Sequence, residues 1–226
     1  MLEKLADKGV EQERAVLFPN WVALDEIYPL HDASSFRGML GLAVKPCVAL
    51  YSGNMGEKQG LEIVLEAAMM LRECRDIHFV LCGDGAARAR LQRQYAGLEN
   101  VTWLPLQPVE KLNELLNLAD VHLLPQRADV ADLVMPSRLL GMLASARPVL
   151  ATVLADTQVG EVVAQCGELS PPGDAHALVQ TLQELAGDKL RREKLGAAGR
   201  VIVQERFSRE AVLQGLEREL SELRHA

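Results

Sequence analysis

The sequence predicts an α/β fold: a Rossmann-like, doubly wound parallel sheet with extra C-terminal helices. Three observations carry that expectation. From residue 46 onward, apolar runs of four to six residues alternate with helical patterns of about ten, as in successive βαβ units. The runs are apolar at nearly every position, as strands are when both sheet faces are covered. The alternation then stops, and three helix patterns follow one another with no strand between them.

At the start, Leu2–Lys8 reads as weakly helical and Ala15–Phe18 as a short strand, followed by a turn-rich stretch from Pro19-Asn20-Trp21 to Tyr28-Pro29. Strands are expected at Cys47–Ser52, His78–Cys82, Val101–Leu104, Val121–Leu124, Val149–Thr152 and Gly167–Ser170. Helices are expected between them at Leu61–Glu73, Ala86–Ala96, Val109–Ala119, Arg138–Ala144 and Gln158–Gln165. Pro171-Pro172-Gly173 breaks the chain before a helix over Asp174–Gly187, with Asp174 as N-cap. Asp188–Phe207 and Ser208–Arg224 complete the tail; Ser208 caps the last, whose leucines at 213, 216, 220 and 223 share one stripe. The charge run Asp188–Lys194 reads as a solvated helix face, and Met69-Met70 as core rather than a cofactor contact.

Composition narrows the function. With 226 residues, 49% apolar and 24% charged, the chain can bury a sizeable core. A net charge of −7 argues against a general nucleic-acid binder, which normally shows a basic face. No apolar run approaches the ~18 residues of a membrane span, and the first residues lack the apolar core of a signal peptide. Cys47, Cys74, Cys82 and Cys166 form no CxxC pair and read as reduced thiols, Cys47 and Cys82 buried, in a cytoplasmic protein. The histidines at 31, 78, 122, 176 and 225 show no metal spacing, so no metal site is expected.

In open parallel sheets, ligands bind where loops leave the carboxyl ends of the strands. Three such loops stand out. Ser52-Gly53-Asn54-Met55-Gly56 follows a strand, with Lys58 just before the next helix. Glycines let backbone amides approach an anion, a helix start adds partial positive charge, and lysine is a mobile cation suited to phosphate. The spacing matches neither a Walker A loop nor the GxGxxG fingerprint of dinucleotide binders, and a solvated lysine on a tight turn fits it too. The second loop is Leu81-Cys-Gly-Asp-Gly85, where the glycines make room for a ligand or simply make a turn. The third is Met135-Pro136-Ser137-Arg138, a helix start whose free amides would face the same edge as Lys58.

In chain order these motifs resemble the donor-binding, C-terminal half of the GT-B glycosyltransferases of retaining family 4. Pro19-Asn20-Trp21-Val22 with Tyr28-Pro29 is similar to the lead-in to that half, and Tyr51–Ala68 to its phosphate-binding turn. Leu81–Gly85 and Leu118–Pro125 are similar to its next turn and strand, and Pro136–Ala151 to its donor-binding helix. GNMGEKQGLE and MPSRLL resemble most the colanic-acid branch, the WcaI-like transferases of exopolysaccharide assembly.

The resemblance implies a hexosyltransferase that uses a nucleoside-diphosphate sugar of UDP or GDP type and no further cofactor. It assigns Lys58 to stabilising the leaving diphosphate, with Gly53, Asn54, Gly83, Gly85, Ser137, Arg138 and Leu139 in the donor site. Backbone at Leu104 to Leu106 would meet the nucleobase. Asn54 stands where an arginine is usual, and Leu133 and Gly141 stand where two glutamates are; Asp132 is a neighbouring substitute. The implied division is residues 1–30 as lead-in from a missing N-terminal half, 31–207 as the nucleotide-sugar domain and 208–226 as a closing helix. The missing half would bring the glycan or lipid-linked acceptor, so this chain alone is expected to be inactive, with its leucine stripe exposed. The full enzyme would be cytoplasmic, with peripheral attachment to the inner membrane face as one option. Two rivals are a GT-B-fold sugar-nucleotide epimerase and a non-catalytic nucleotide-binding or partner-docking module. An NAD-dependent dehydrogenase is disfavoured, because its glycine fingerprint and ribose-binding acid are absent.

Overall fold

The computed structural model describes residues 9, 11, 15–16, 18–32, 34–42, 46–127 and 135–223. Six strands form one sheet: β1 (Cys47–Ser52), β2 (Ile77–Cys82), β3 (Val101–Leu104), β4 (Val121–Pro125), β5 (Val149–Thr152) and β6 (Gly167–Leu169). Their order is β3-β2-β1-β4-β5-β6, and every neighbouring pair is parallel. Connections run outward from β1 on one side and from β4 on the other, so the switch point lies between these two strands.

Alternation along β1 shows why its run is apolar throughout. Ala49 and Tyr51 enter one apolar layer, Val48 and Leu50 the other. Helices α2 (Glu62–Met70), α3 (Arg88–Gln94) and α7 (Ala175–Gly187) cover the first layer through residues such as Val64, Leu91 and Leu182. On the second, α1 (Ser35–Met39) and α4 (Leu112–Leu116) cover the β1 side through Phe36 and Leu115. There α5 (Ser137–Ala144), α6 (Gln158–Val163) and α8 (Lys189–Arg206) cover the β4 to β6 side through Leu143, Val162 and Val203. Asp174 and Asp188 cap α7 and α8 by accepting from Ala177 N and Arg191 N, and Ser208 Oγ accepts from Ala211 N at the start of α9 (Arg209–Leu223).

The seam between the two sets of strands is short. Two Cα pairs join β1 to β4, Ala49 with Val121 and Leu50 with His122. Below them Asp120 closes the seam: its amide donates to Val48 O at 2.9 Å and its carboxylate accepts from Val48 N at 2.8 Å. The Arg37 guanidinium pairs with the same carboxylate and also donates to Pro46 O at 3.2 Å.

All six strands lie where expected, to within one residue at each end. Apart from α5, which starts one residue earlier than expected at Ser137, the helices are shorter than their apolar patterns. Val109–Ala119 opens as a 3-10 turn at Val109–Lys111, because Lys111 N bonds Pro108 O three residues back, and only Leu112–Leu116 is α-helical. Helix α1 was not expected; Ser34 caps it by accepting from Phe36 N at 3.3 Å. Ala15–Phe18 is not a strand at its described residues 15, 16 and 18; the Phe18 ring instead packs edge-on against Trp21 with centroids 5.8 Å apart. Leu2–Lys8 and Arg224 lie outside the described residues. Met69 and Met70 are 45% and 41% exposed, so they are not core: the turn of α2 that carries them runs past the edge of the apolar layer. Cys47 is only partly buried, whereas Cys82 is buried; all four cysteines are free. On α9, Leu213 and Leu220 are exposed while Val212 is buried.

Candidate functional site

At the carboxyl edge the loops leaving β1 and β2 lie on one another. Gly53 N donates to Cys82 O at 3.0 Å, Met55 N to Asp84 O at 2.8 Å, and Ala87 N to Met55 O at 2.9 Å. The approach leaves no space for side chains: a Cβ on Gly83 would stand 1.9 Å from Gly53 O, and one on Gly85 2.6 Å from Met55 O. Both glycines also have positive φ, +141° and +153°. The GxG of the second loop is thus fixed by loop contact.

Arg138, in the first turn of α5, spans the switch point. Its Nη1 donates to Tyr51 Oη at 3.1 Å, at the end of β1, and Nη2 lies 3.5 Å from Pro125 O, at the end of β4. The guanidinium carbon sits 5.5 Å from the Tyr51 ring centroid, a cation–π contact. Tyr51 is fully buried and donates in turn to Asn54 O. Burial pushes its phenol pKa up and Arg138 pulls it back, with a net rise that keeps the hydroxyl protonated as a donor. Arg138 Nε is buried without a partner, and no carboxylate pairs with the guanidinium among the described residues. An unpaired, half-buried cation is costly unless something anionic meets it.

Helix α5 begins at this cation. Pro136 occupies the N-cap position and no side chain caps the turn. Leu139 N already bonds Pro136 O at 2.9 Å, which leaves the amides of Ser137 and Arg138 ahead of the first intrahelical bond. A cavity of about 420 Å³ lies here, within the ~300–1,000 Å³ of small-ligand sites. Of the residues expected in the site, Gly53, Leu106, Ser137 and Arg138 line it.

The others fall elsewhere. Leu139 is fully buried on the inner face of α5, and Leu104 packs against the second apolar layer. Gly83 and Gly85 support the loop, and Asn54 is exposed beside it. Lys58 is exposed in a 3-10 turn, Glu57–Gln59, outside the cavity wall, and makes no ion pair among the described residues. The turn is held from α3, since Arg90 Nη2 lies 2.7 Å from Glu57 and 2.5 Å from Glu62. Burial raises the Glu62 carboxyl, but hydrogen bonding and charge from Arg90 outweigh it and leave the pKa below its ordinary value. Leu133 and Asp132 lie outside the described residues; Gly141 lines the cavity.

One wall escaped the sequence reading. Trp21, Val22 and Glu26, from the turn-rich lead-in, line the cavity. That segment is irregular but pinned. Val22 N donates to Phe207 O at 3.0 Å, and Arg200 Nη1 to Ile27 O at 2.8 Å. Asn113 Oδ1 accepts from Tyr28 N at 3.1 Å, and Asn117 accepts from Leu30 N and donates to Tyr28 O, both at 2.9 Å. The visible signal was two asparagines four apart in a leucine-rich helix; nothing local ties them to residues more than 80 positions away. Among the described residues no cluster of three or more His, Cys, Asp or Glu could hold a metal, and no helix is long and apolar enough to cross a membrane.

A parallel sheet with its switch point between β1 and β4, and an uncapped helix start beside an arginine that no carboxylate pairs among the described residues, define a protein of the Rossmann-like class with an edge suited to an anion. The family model described as "Glycosyl transferases group 1" matches residues 46–188, and the chain belongs to that family. It is 37% identical over 194 residues to the putative colanic acid biosynthesis glycosyl transferase WcaI of Escherichia coli K12, covering 81% of this chain and 47% of that protein. To the probable glycosyltransferase WbjE of Pseudomonas aeruginosa it is 27% identical over 92% of this chain and 52% of that one. The chain thus spans about half the length of these relatives. Among solved structures, Anabaena Alr3699/HepE in complex with UDP and glucose superposes with a TM-score of 0.81 at 17% identity, over 98% of this chain and 60% of that one. The C-terminal domain of a group 1 glycosyl transferase (LpcC) from Francisella tularensis gives 0.66 at 18% identity, over 83% of this chain and 99% of that domain. The architecture is that of one half of a GT-B fold.

Proposed function

We propose that this chain is the nucleotide-sugar-binding part of a hexosyltransferase of exopolysaccharide assembly, acting on the colanic-acid type of pathway. One observation carries the reading most: the unpaired Arg138 guanidinium at an uncapped helix start on the switch-point edge, a place built for an anion. The UDP named with the HepE structures supports a nucleoside diphosphate there, and the relative at 37% identity is named a glycosyl transferase of colanic acid biosynthesis. Gly53, Ser137 and Arg138 hold the diphosphate, Asn54, Gly83, Gly85 and Leu139 shape the loop and helix start around it, and the chain near Leu104 and Leu106 receives the base. Lys58 reaches in from its exposed turn when donor binds and stabilises charge developing on the leaving diphosphate, an electrostatic role. Residues 31–207 form the donor domain of a cytoplasmic enzyme. The acceptor side comes from the remainder of the full enzyme, so this chain binds donor without turning it over. A binding module without chemistry is the second reading, favoured by the bare cavity wall at Gly141.

Calorimetric titration with UDP, GDP and ADP tests the assignment. At least one should bind, and Lys58→Ala should weaken it about tenfold, or ~1.4 kcal/mol. Unchanged affinity in the variant would remove Lys58 from the site, and no binding of any nucleotide would reject the donor reading.

A further inference from the structure

The cavity has two walls of different chemistry. The α5 side carries the cation and the free amides. The lead-in side carries an aromatic plane, Trp21, and Glu26, the one carboxylate lining the cavity among the described residues. Trp21 is 43% exposed, and its ring contact among the described residues is the edge-on one with Phe18, itself 49% exposed. Leu106 and Leu112, 72% and 37% exposed, line the same cavity. Three large apolar side chains are therefore left open around one hollow, and packing within the protein uses none of them fully.

We propose that the pinned lead-in forms the nucleoside subsite of the donor: Trp21 stacks on the base, and Glu26 accepts hydrogen bonds from the ribose hydroxyls. This rests on the donor reading above. A diphosphate held at Arg138 repels Glu26, so the carboxylate serves a neutral donor group, and a vicinal diol presents two O–H groups to its two oxygens. Base–aromatic stacking is tolerant of base identity, so Trp21 supplies affinity more than base choice. Glu26 has room to act, because no hydrogen bond or ion pair engages its side chain among the described residues and Gly141 places no side chain across the cavity wall. The wall needs no ordering on binding, since the backbone bonds at Val22, Ile27, Tyr28 and Leu30 hold it in place. Substitution of the Trp21 and Glu26 side chains leaves those backbone bonds intact.

Because the chain has two tryptophans, Trp103→Phe makes Trp21 the sole indole. In that background the emission of Trp21 should quench on titration with whichever of UDP, GDP or ADP binds. Trp21→Ala in the parent should weaken that nucleotide about tenfold and leave inorganic pyrophosphate affinity unchanged. Glu26→Ala, which removes both acceptor oxygens, should abolish a preference for the ribonucleotide over its 2′-deoxy form, with an unaltered far-UV spectrum. If the nucleotide binds but both variants retain parental affinity and ribose preference, the lead-in subsite is wrong and the donor reading stands. If neither nucleotide nor pyrophosphate binds the parent chain, both proposals fall together.

Discussion

Gly83 and Arg138 show how differently single residues can be read. Arg138 was legible as a candidate because it follows Pro-Ser at a helix start, and the chemistry of that turn is local. Gly83 was legible only as part of a GxG; the structure gives its reason, a carbonyl 1.9 Å from where its Cβ would be. Gly83→Ala must therefore push the β1 loop away, and a positive φ adds strain. We expect a loss of roughly 3 kcal/mol, measured by urea denaturation. An unchanged midpoint would mean that the two loops can part freely.

Among the elements, strands were read most accurately, since a run apolar on both faces has few other uses. Helix ends were blurred, because apolar periodicity continues through turns such as Leu71–Cys74 that the chain does not coil. Burial of polar groups was not legible at all. His122, on β4, is fully buried; its Nε2 lies 3.1 Å from Ser145 Oγ, whose proton goes to Met142 O at 2.7 Å. The imidazole therefore donates from Nε2, and Nδ1 has no partner. Burial, aided by the Arg147 charge, pushes its pKa down to about 3 from an ordinary 6.5. The unfolded chain then takes up a proton below pH 6.5 that the folded chain refuses until about pH 3. Stability should be level above pH 6.5 and fall on acidification by up to ~1.4 kcal/mol per pH unit. His78, lowered by burial as well, adds in the same direction. Urea midpoints from pH 7.5 to 5.5 should show a shallower fall in His122→Leu than in the parent; equal slopes would mean that His122 titrates alike in both states.

At the scale of the molecule, the α5 side of the cavity, with Gly53, Ser137 and Arg138, could be assembled from motifs in chain order, because each motif sits on its own βα turn and the turns converge at the switch point, although Lys58 lies outside that wall. The opposite wall could not. Trp21 and Glu26 reach the cavity through bonds to α4 and α8, and nothing in their own neighbourhood announces it.

The short β1 to β4 seam has a further consequence, which is kinetic. Strands β1 to β3 and β4 to β6 each close through nearby chain, whereas Val48 and Asp120 are 72 positions apart. Long-range closure is slow because chain entropy is lost before contacts repay it, so we expect the seam to form at the folding barrier. Asp120→Ala should then slow refolding in stopped-flow experiments and leave unfolding nearly unchanged, whereas faster unfolding alone would place the seam after the barrier. A chain halted before that step would hold two packed halves and no cavity between them.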